Sequence, residues 1–388
     1  MTTLYLGLDV HKDSVVVATA ASDGSEPLSY GKWGGSNLSV ERGLAKLCKS
    51  FKVSKENLSI AYEAGPTGFV LARRLIQLGY RCRVVAPSMI PSLPGDRVKT
   101  DKRDARKLAG LLRAGQLTAC HIPEPKDEAI RDICRARTDA VEALATAKQQ
   151  LGMFLLRNGI RYQGHTKWTH SHMNYLRKLK LPDPVQQILL EEYVMRIELG
   201  SQCVQRLEDH MEELLKSWDR RPYVQALMAF RGFQIVAAMT QVSELGDLSR
   251  FTSPRQMMSY LGLVPSEKTS GSKRRVGGIT KTGNSHSRWM LIESASHYSH
   301  TAKVSPQLSV RQKGQSHEVC EISWKAQNRL HKRYVKLMAR GLNRNKVIVA
   351  IARELCGFLW ELHHQVTKEI NKEIKRSSQV TKPQITPA

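Results

Sequence analysis

Acid is what this chain has little of: 35 Asp and Glu stand against 60 Lys and Arg in 388 residues, a formal net charge of +25 and a pI near 9.9. Such an excess selects for polyanions and works against cationic ligands. Nucleic acid and acidic membrane surfaces both satisfy it, and charge alone does not separate them. Cysteine gives little more. Seven residues (48, 82, 120, 134, 203, 320 and 356) are scattered with no CxxC pair. That spacing excludes a disulfide framework or a zinc ribbon, and predicts free thiols in a reducing cytoplasm. No apolar run reaches the roughly 18 residues of a transmembrane helix. The opening MTTLYLGLDV carries an acid early and no basic leader, so no signal peptide is expected. Disorder is not expected either, since 41% of the residues are hydrophobic and the length leaves room for two or three cores.

The first part of the chain alternates strand and helix patterns. LYLGLDV and SVVVATA read as strands joined by the turn-like HKD, and a third strand is expected around 28–32 after Asp23-Gly24. A helix over 39–51, a strand over 58–62 that ends on Glu63, and a helix opened by Gly65-Pro66 follow. A buried strand over 81–86 leads into a Pro/Ser/Gly-rich loop, and Thr100 is placed to cap a helix over 101–113. The order β-β-β-α-β-α-β-α is that of the α/β ribonuclease H-like fold.

From about Asp127 the composition turns helical. Ala-rich 127–158 and the apolar spacing of 184–217 predict two long helices around the stretch GHTKWTHSH. This middle section is either an ordinary spacer or a coiled-coil-like hairpin that pairs with a second copy. After Pro222 short helices are expected near 224–243 and 253–261, then a polar Gly-rich loop, then helices over 287–300, 317–340 and 345–370. The resulting division is 1–126, 127–221, a mainly α region 222–375, and a disordered tail 376–388.

Against this basic background four acids stand out. Asp9 lies on the first strand, Glu63 ends the strand expected beside it, and Asp101 and Asp104 lie three apart on one helix face. Each has an ordinary reading: Asp9 as a turn former, Glu63 as a solvated strand end, Asp101 and Asp104 as complements to a helix dipole. All four, however, fall at the catalytic stations of the expected fold, in order. Gathered carboxylates repel one another unless a divalent ion neutralises them, and Mg²⁺ or Mn²⁺ at such a site cuts phosphodiesters.

Two basic stretches complete the pattern. Residues 268–292 hold no acid and six cations: Lys268, Lys273, Arg274, Arg275, Lys281 and Arg288. A serine among glycines and cations there is chemically able to attack phosphate, although most Gly-Ser loops are only loops. Residues 325–346 hold eight cations and no acid, among them Lys325, Arg329, Lys332, Arg333, Lys336 and Arg340, with Trp324 and Tyr334 at hand. On a helix this is a phosphate-tracking face with stacking residues, or a solvated surface. His165, His170 and His172 have no trusted metal spacing.

Several motifs resemble one family, the DEDD transposases of bacterial insertion sequences (the IS110 group, bridge-RNA-guided serine recombinases). GLDVHKD around Asp9, YEAG around Glu63 and KTDKRDAR with Asp101 and Asp104 resemble its RuvC-like domain. LGLVPSEKTSGS and TKTGNSHSRWML resemble its transposase domain. One departure is AFRGFQIVAAM, which keeps a single Gly232 where the family often shows P-G-I-G. The resemblance implies that Ser270, five residues after Pro265, attacks DNA to form a phosphoserine link, Ser272 being its near neighbour. It also implies Mg²⁺ on the four acids, target and donor DNA, a non-coding guide RNA, and a dimer or tetramer in the bacterial cytoplasm at the nucleoid. A metal-dependent nuclease using activated water is the rival reading of the same residues. A non-catalytic nucleic-acid scaffold is a third.

Overall fold

Apolar alternation in the first 85 residues produces a mixed five-stranded sheet of order β3-β2-β1-β4-β5. The computed structural model describes residues 3–91, 100–270 and 273–380. Strands β1 (Leu4–Val10), β2 (Ser14–Ala21) and β3 (Leu28–Gly34) run antiparallel. Helix α1 (Asn37–Phe51) crosses to β4 (Leu58–Glu63), which pairs parallel with β1. Helix α2 (Val70–Gln77) leads to β5 (Arg81–Val85), parallel to β4. Helix α3 (Asp101–Arg113) starts on Thr100, whose hydroxyl accepts from the Arg103 amide at 3.3 Å.

Period-2 alternation sorts the two faces of the sheet. Leu6, Leu8, Ile60 and Tyr62 pack with Leu44, Leu47, Leu71 and Leu75 of α1 and α2. On the other face, small residues of β2 (Val16, Ala18, Ala20) meet Ala105 and Ala109 of α3, while Ala61 and Val85 meet Leu108 and Leu112. Helix α2 begins later than Gly65-Pro66 predicts, because Gly68 takes a left-handed φ of 65° and its carbonyl accepts from the Tyr62 hydroxyl at 3.2 Å.

The chain divides into two compact units after Glu124. The second is mostly helical: α4 (Pro125–Arg157), α5 (His170–Lys178), α6 (Pro184–Ser217), α7 (Arg221–Met228), α8 (Ile235–Leu245) and α9 (Pro254–Tyr260). A two-stranded hairpin, β6 (Pro265–Ser270) and β7 (Lys273–Ile279), follows, then α10 (Ser285–Ser296), α11 (Pro306–Gln312), α12 (His317–Met338) and α13 (Arg344–Val380). Helices α4 and α6 form a long antiparallel-type hairpin. Its base (Ile130, Cys134, Met211, Leu215) joins the main core with α7–α13, and its tip has a core of its own around Leu151, Phe154, Leu190 and Ile197.

Two expectations change here, and a third falls outside the described residues. The predicted polar loop after Val264 is a strand hairpin, hidden from sequence patterning because every residue of β6 is exposed. Helix α13 runs to Val380, into the stretch predicted as a disordered tail, and 381–388 lie outside the described residues. The predicted loop after Pro91 also lies largely outside them. No helix among the described residues is long and apolar enough to cross a membrane.

Candidate metal centre

The site is built at one end of the sheet, on the face that carries α3. Gly7 and Asp9 are two apart on β1 and so share that face. Gly7 matters because a Cβ there would overlap the Ala105 carbonyl. Its absence lets α3 lie directly on β1 and carries the first turn of α3 toward Asp9.

Asp9 Oδ2 then lies 3.2 Å from His11 Nε2, and Asp101 Oδ2 lies 3.6 Å from the same nitrogen. One donor atom from each of the three falls within 4.8 Å of the others. The side chains are 19% (Asp9), 49% (His11) and 60% (Asp101) exposed, so the cluster opens to solvent and to a large substrate. Burial raises the Asp9 carboxyl above its ordinary value; His11 opposes that, and the charges of Asp101 and Asp104 add to it. Asp104 is therefore close enough to be felt electrostatically, although it is not one of the three clustered donors.

Glu63 ends β4 at the same end of the sheet, directly after the Leu8–Tyr62 pair. It shares a face with Ala61, which packs on α3, but it too lies outside the three-donor cluster. His11 is the residue that sequence reasoning missed. It was absorbed into a turn, yet its i, i+2 spacing from Asp9 at a strand end was the available signal.

Two carboxylates and an imidazole suit a divalent ion: carboxylates favour Mg²⁺ or Mn²⁺, and the imidazole weights the set toward Mn²⁺.

The basic residues lie in the second unit. Arg275 and Lys281 are exposed, and Lys273 and Arg274 open β7. Arg288 is half-buried and braces the hairpin base, its Nη1 donating to the carbonyls of Leu261 (3.0 Å) and Thr282 (2.8 Å). Lys325, Arg329, Lys332, Arg333, Lys336 and Arg340 are exposed on and just after α12.

This chain is similar over most of its length to known proteins. A putative transposase, y4qE of Sinorhizobium fredii, is 42% identical over 358 residues, covering 92% of this chain and 88% of that one. Residues 6–158 match the DEDD family described as a transposase, and 224–309 match the family described as Transposase IS116/IS110/IS902. The chain belongs to the IS116/IS110/IS902 transposase family. Other members of similar sequence include the transposase for insertion sequence element IS1533 of Leptospira borgpetersenii (29% over 341 residues, 87% of this chain and 97% of that one). A probable family 20 transposase of Pseudomonas aeruginosa is 27% identical over 241 residues, 61% of this chain and 70% of that one. As a family transposase this chain is a DNA-cleaving enzyme.

One expectation is corrected by the site. A phosphoserine intermediate on Ser270 was implied by the resemblance. The clustered Asp9, His11 and Asp101 donors fit a metal-dependent RuvC-like nuclease instead, where the attacking group is water. Ser270 is an exposed end residue of β6, paired in register with Lys273, and is left without the nucleophile's role. Ser272 lies outside the described residues.

Proposed function

We propose that this transposase cuts DNA phosphodiesters with metal-activated water at Asp9, His11 and Asp101, on a ribonuclease H-like domain spanning residues 1–126. The observation that carries the reading is the convergence of these three donors within 4.8 Å. Strand order β3-β2-β1-β4-β5 supports the fold assignment, because it matches three antiparallel strands followed by two crossovers. Asp104 and Glu63 complete the acidic set in this proposal, Asp104 through its charge on Asp9 and Glu63 from the neighbouring strand end.

When bound, a divalent ion supplies a lowered water pKa and offsets the phosphate charge. The chain's own residues do the rest. Asp9 and Asp101 hold paired negative charge at an open strand end, and the His11 imidazole fixes the spacing between them. The +25 formal charge draws DNA to the protein, with affinity that falls as salt rises. A location at nucleoid DNA in the cytoplasm rests, in this proposal, on the family resemblance. A guide RNA rests on the resemblance alone. The hairpin of α4 and α6, which makes up most of the proposed 127–221 segment, is the surface assigned to a second copy, and 222–375 to nucleic-acid contact.

The test is cleavage of plasmid DNA by purified protein with Mg²⁺, Mn²⁺ or chelator. Asp9→Asn, Asp101→Asn and His11→Ala should each abolish or greatly weaken metal-dependent cutting while leaving DNA affinity near wild type. Cutting that survives chelation, or survives Asp101→Asn at full rate, would defeat the proposal.

A further inference from the structure

Helix α12 presents two faces of opposite character. Val319, Ile322, Ala326, Leu330 and Leu337 are buried in the core. On the outer side Trp324, Asn328, Lys332 and Lys336 form one i+4 row, and Lys325, Arg329 and Arg333 form the row beside it. With Phe358 of α13 these residues line an open groove of about 680 Å³. That volume is in the range of ligand clefts.

The charges along the groove are partly spoken for. Glu354 of α13 takes both Arg329 (3.0 Å) and Arg333 (2.5 Å), and Glu321 takes Lys325 at 3.0 Å. Those pairs hold the guanidinium groups in place along the groove. Lys332 and Lys336 are exposed and have no acidic partner among the described residues. Five cations against two acids leave the groove positive. Trp324 sits at its end with 44% of its surface exposed, and Phe358 is half-buried in its wall.

A cationic helix face alone fits any nucleic acid. An open indole beside it does not. Duplex bases stack on one another and offer no faces, whereas an unpaired base has a π-face that an aromatic side chain can stack on. We propose that the groove between α12 and α13 binds unpaired nucleotides, Trp324 stacking a base while Lys332 and Lys336 hold the flanking phosphates. This rests on the nucleic-acid reading above and adds the strand state of the partner. RNA and single-stranded DNA share the required chemistry.

The test is fluorescence anisotropy of the full chain with three labelled probes at fixed salt: a mixed-sequence single-stranded DNA, the same sequence as RNA, and a blunt DNA duplex. Trp324→Ala should weaken one or both single-stranded probes on the order of tenfold and leave the duplex unchanged. Loss on one arm only names the source of the strand. Trp324→Phe should restore most of the affinity, which separates stacking from misfolding. Lys332→Ala with Lys336→Ala should weaken the single strands and flatten their salt dependence. Wild-type affinity for both single strands in Trp324→Ala, or an equal loss on the duplex, would overturn the groove. Asp101→Asn should bind all three probes normally, so failure of the nuclease reading shows in cleavage and failure of the groove shows in binding.

Discussion

Leu8 on β1 pairs in parallel register with Tyr62 on β4, so the next residue on each strand, Asp9 and Glu63, lies side by side at one end of the sheet. Parallel register puts both carboxylates on the α3 face, opposite to the apolar face that Leu8 and Tyr62 bury. Glu63 stands outside the Asp9–His11–Asp101 cluster by distance but shares its face. Replacing Glu63 by Gln should therefore reduce metal-dependent cleavage by roughly 10–100-fold, the cost typical of losing a supporting group around a metal. DNA affinity measured in chelator should not change. An activity equal to wild type would remove Glu63 from the site.

The approach of α3 to β1 predicts a mutational effect with two readouts. Gly7→Ala adds a methyl where the Ala105 carbonyl and the Ala109 amide already sit. Overpacking of this kind costs about 1–3 kcal/mol, visible as a lowered melting temperature. Because Asp101 opens α3, the same displacement should also weaken the metal-induced thermal shift of the protein. Gly110 is the control. It lies on the same helix, where a Cβ would meet only Pro27 Cγ at 3.2 Å, so Gly110→Ala should leave the metal shift intact.

Much of the first unit was legible in the sequence because its strands are buried on one or both faces and alternate accordingly; β1, β2 and β4 fall where LYLGLDV, SVVVATA and the run before Glu63 place them. The acids Asp9 and Asp101 were legible for a different reason, as charges at element ends in a chain short of acid. His11 was not, since a histidine in a turn has many uses and only the fold brings its Nε2 between two carboxylates. Hairpin β6–β7 escaped because every residue of β6 is exposed and β7 sets only Ile279 against the core among its described side chains. Glu244 escaped because one acid in an apolar helix, IVAAMTQVSEL, gives no hint of partners more than 100 residues away, such as Arg135.

The helical hairpin carries an apolar face that its own core does not cover. On α6, Val185 (64% exposed), Ile188 (61%), Met195 (47%) and Leu199 (56%) recur at helical spacings. Met153 and Leu156 are similarly exposed on α4. If this face pairs with a second copy, Ile188→Asp combined with Met195→Asp should shift the protein to monomer in sedimentation while leaving its melting temperature unchanged. An unaltered oligomeric state would move the interface elsewhere. A large drop in melting temperature would mean that these side chains serve the fold.

Glu244 predicts how stability depends on pH. Its side chain is fully buried on α8, where it accepts from Arg135 (2.8 and 3.0 Å) and Asn284 (2.7 Å) and lies 3.0 Å from His286 Nδ1. Burial alone would push the carboxyl up; the hydrogen bonds of His286, Arg135 and Asn284 outweigh it and bring the pKa down to about 2. An unfolded Glu titrates near ~4.3, so between those values the unfolded chain binds the additional proton and stability rises with pH. The contribution is complete above about pH 5 and disappears as the pH falls through the folded-state value. Glu244→Gln leaves the buried Arg131 guanidinium, 3.5 Å away, beside an uncharged partner and should destabilise by about 3 kcal/mol at neutral pH, the low end for a broken buried pair because Arg135 is half exposed. Chemical denaturation at a series of pH values should show the gap between wild type and variant narrowing as acid is added. A gap that stays constant to pH 2 would mean that Glu244 does not titrate with unfolding, and that its partners hold it by shape alone.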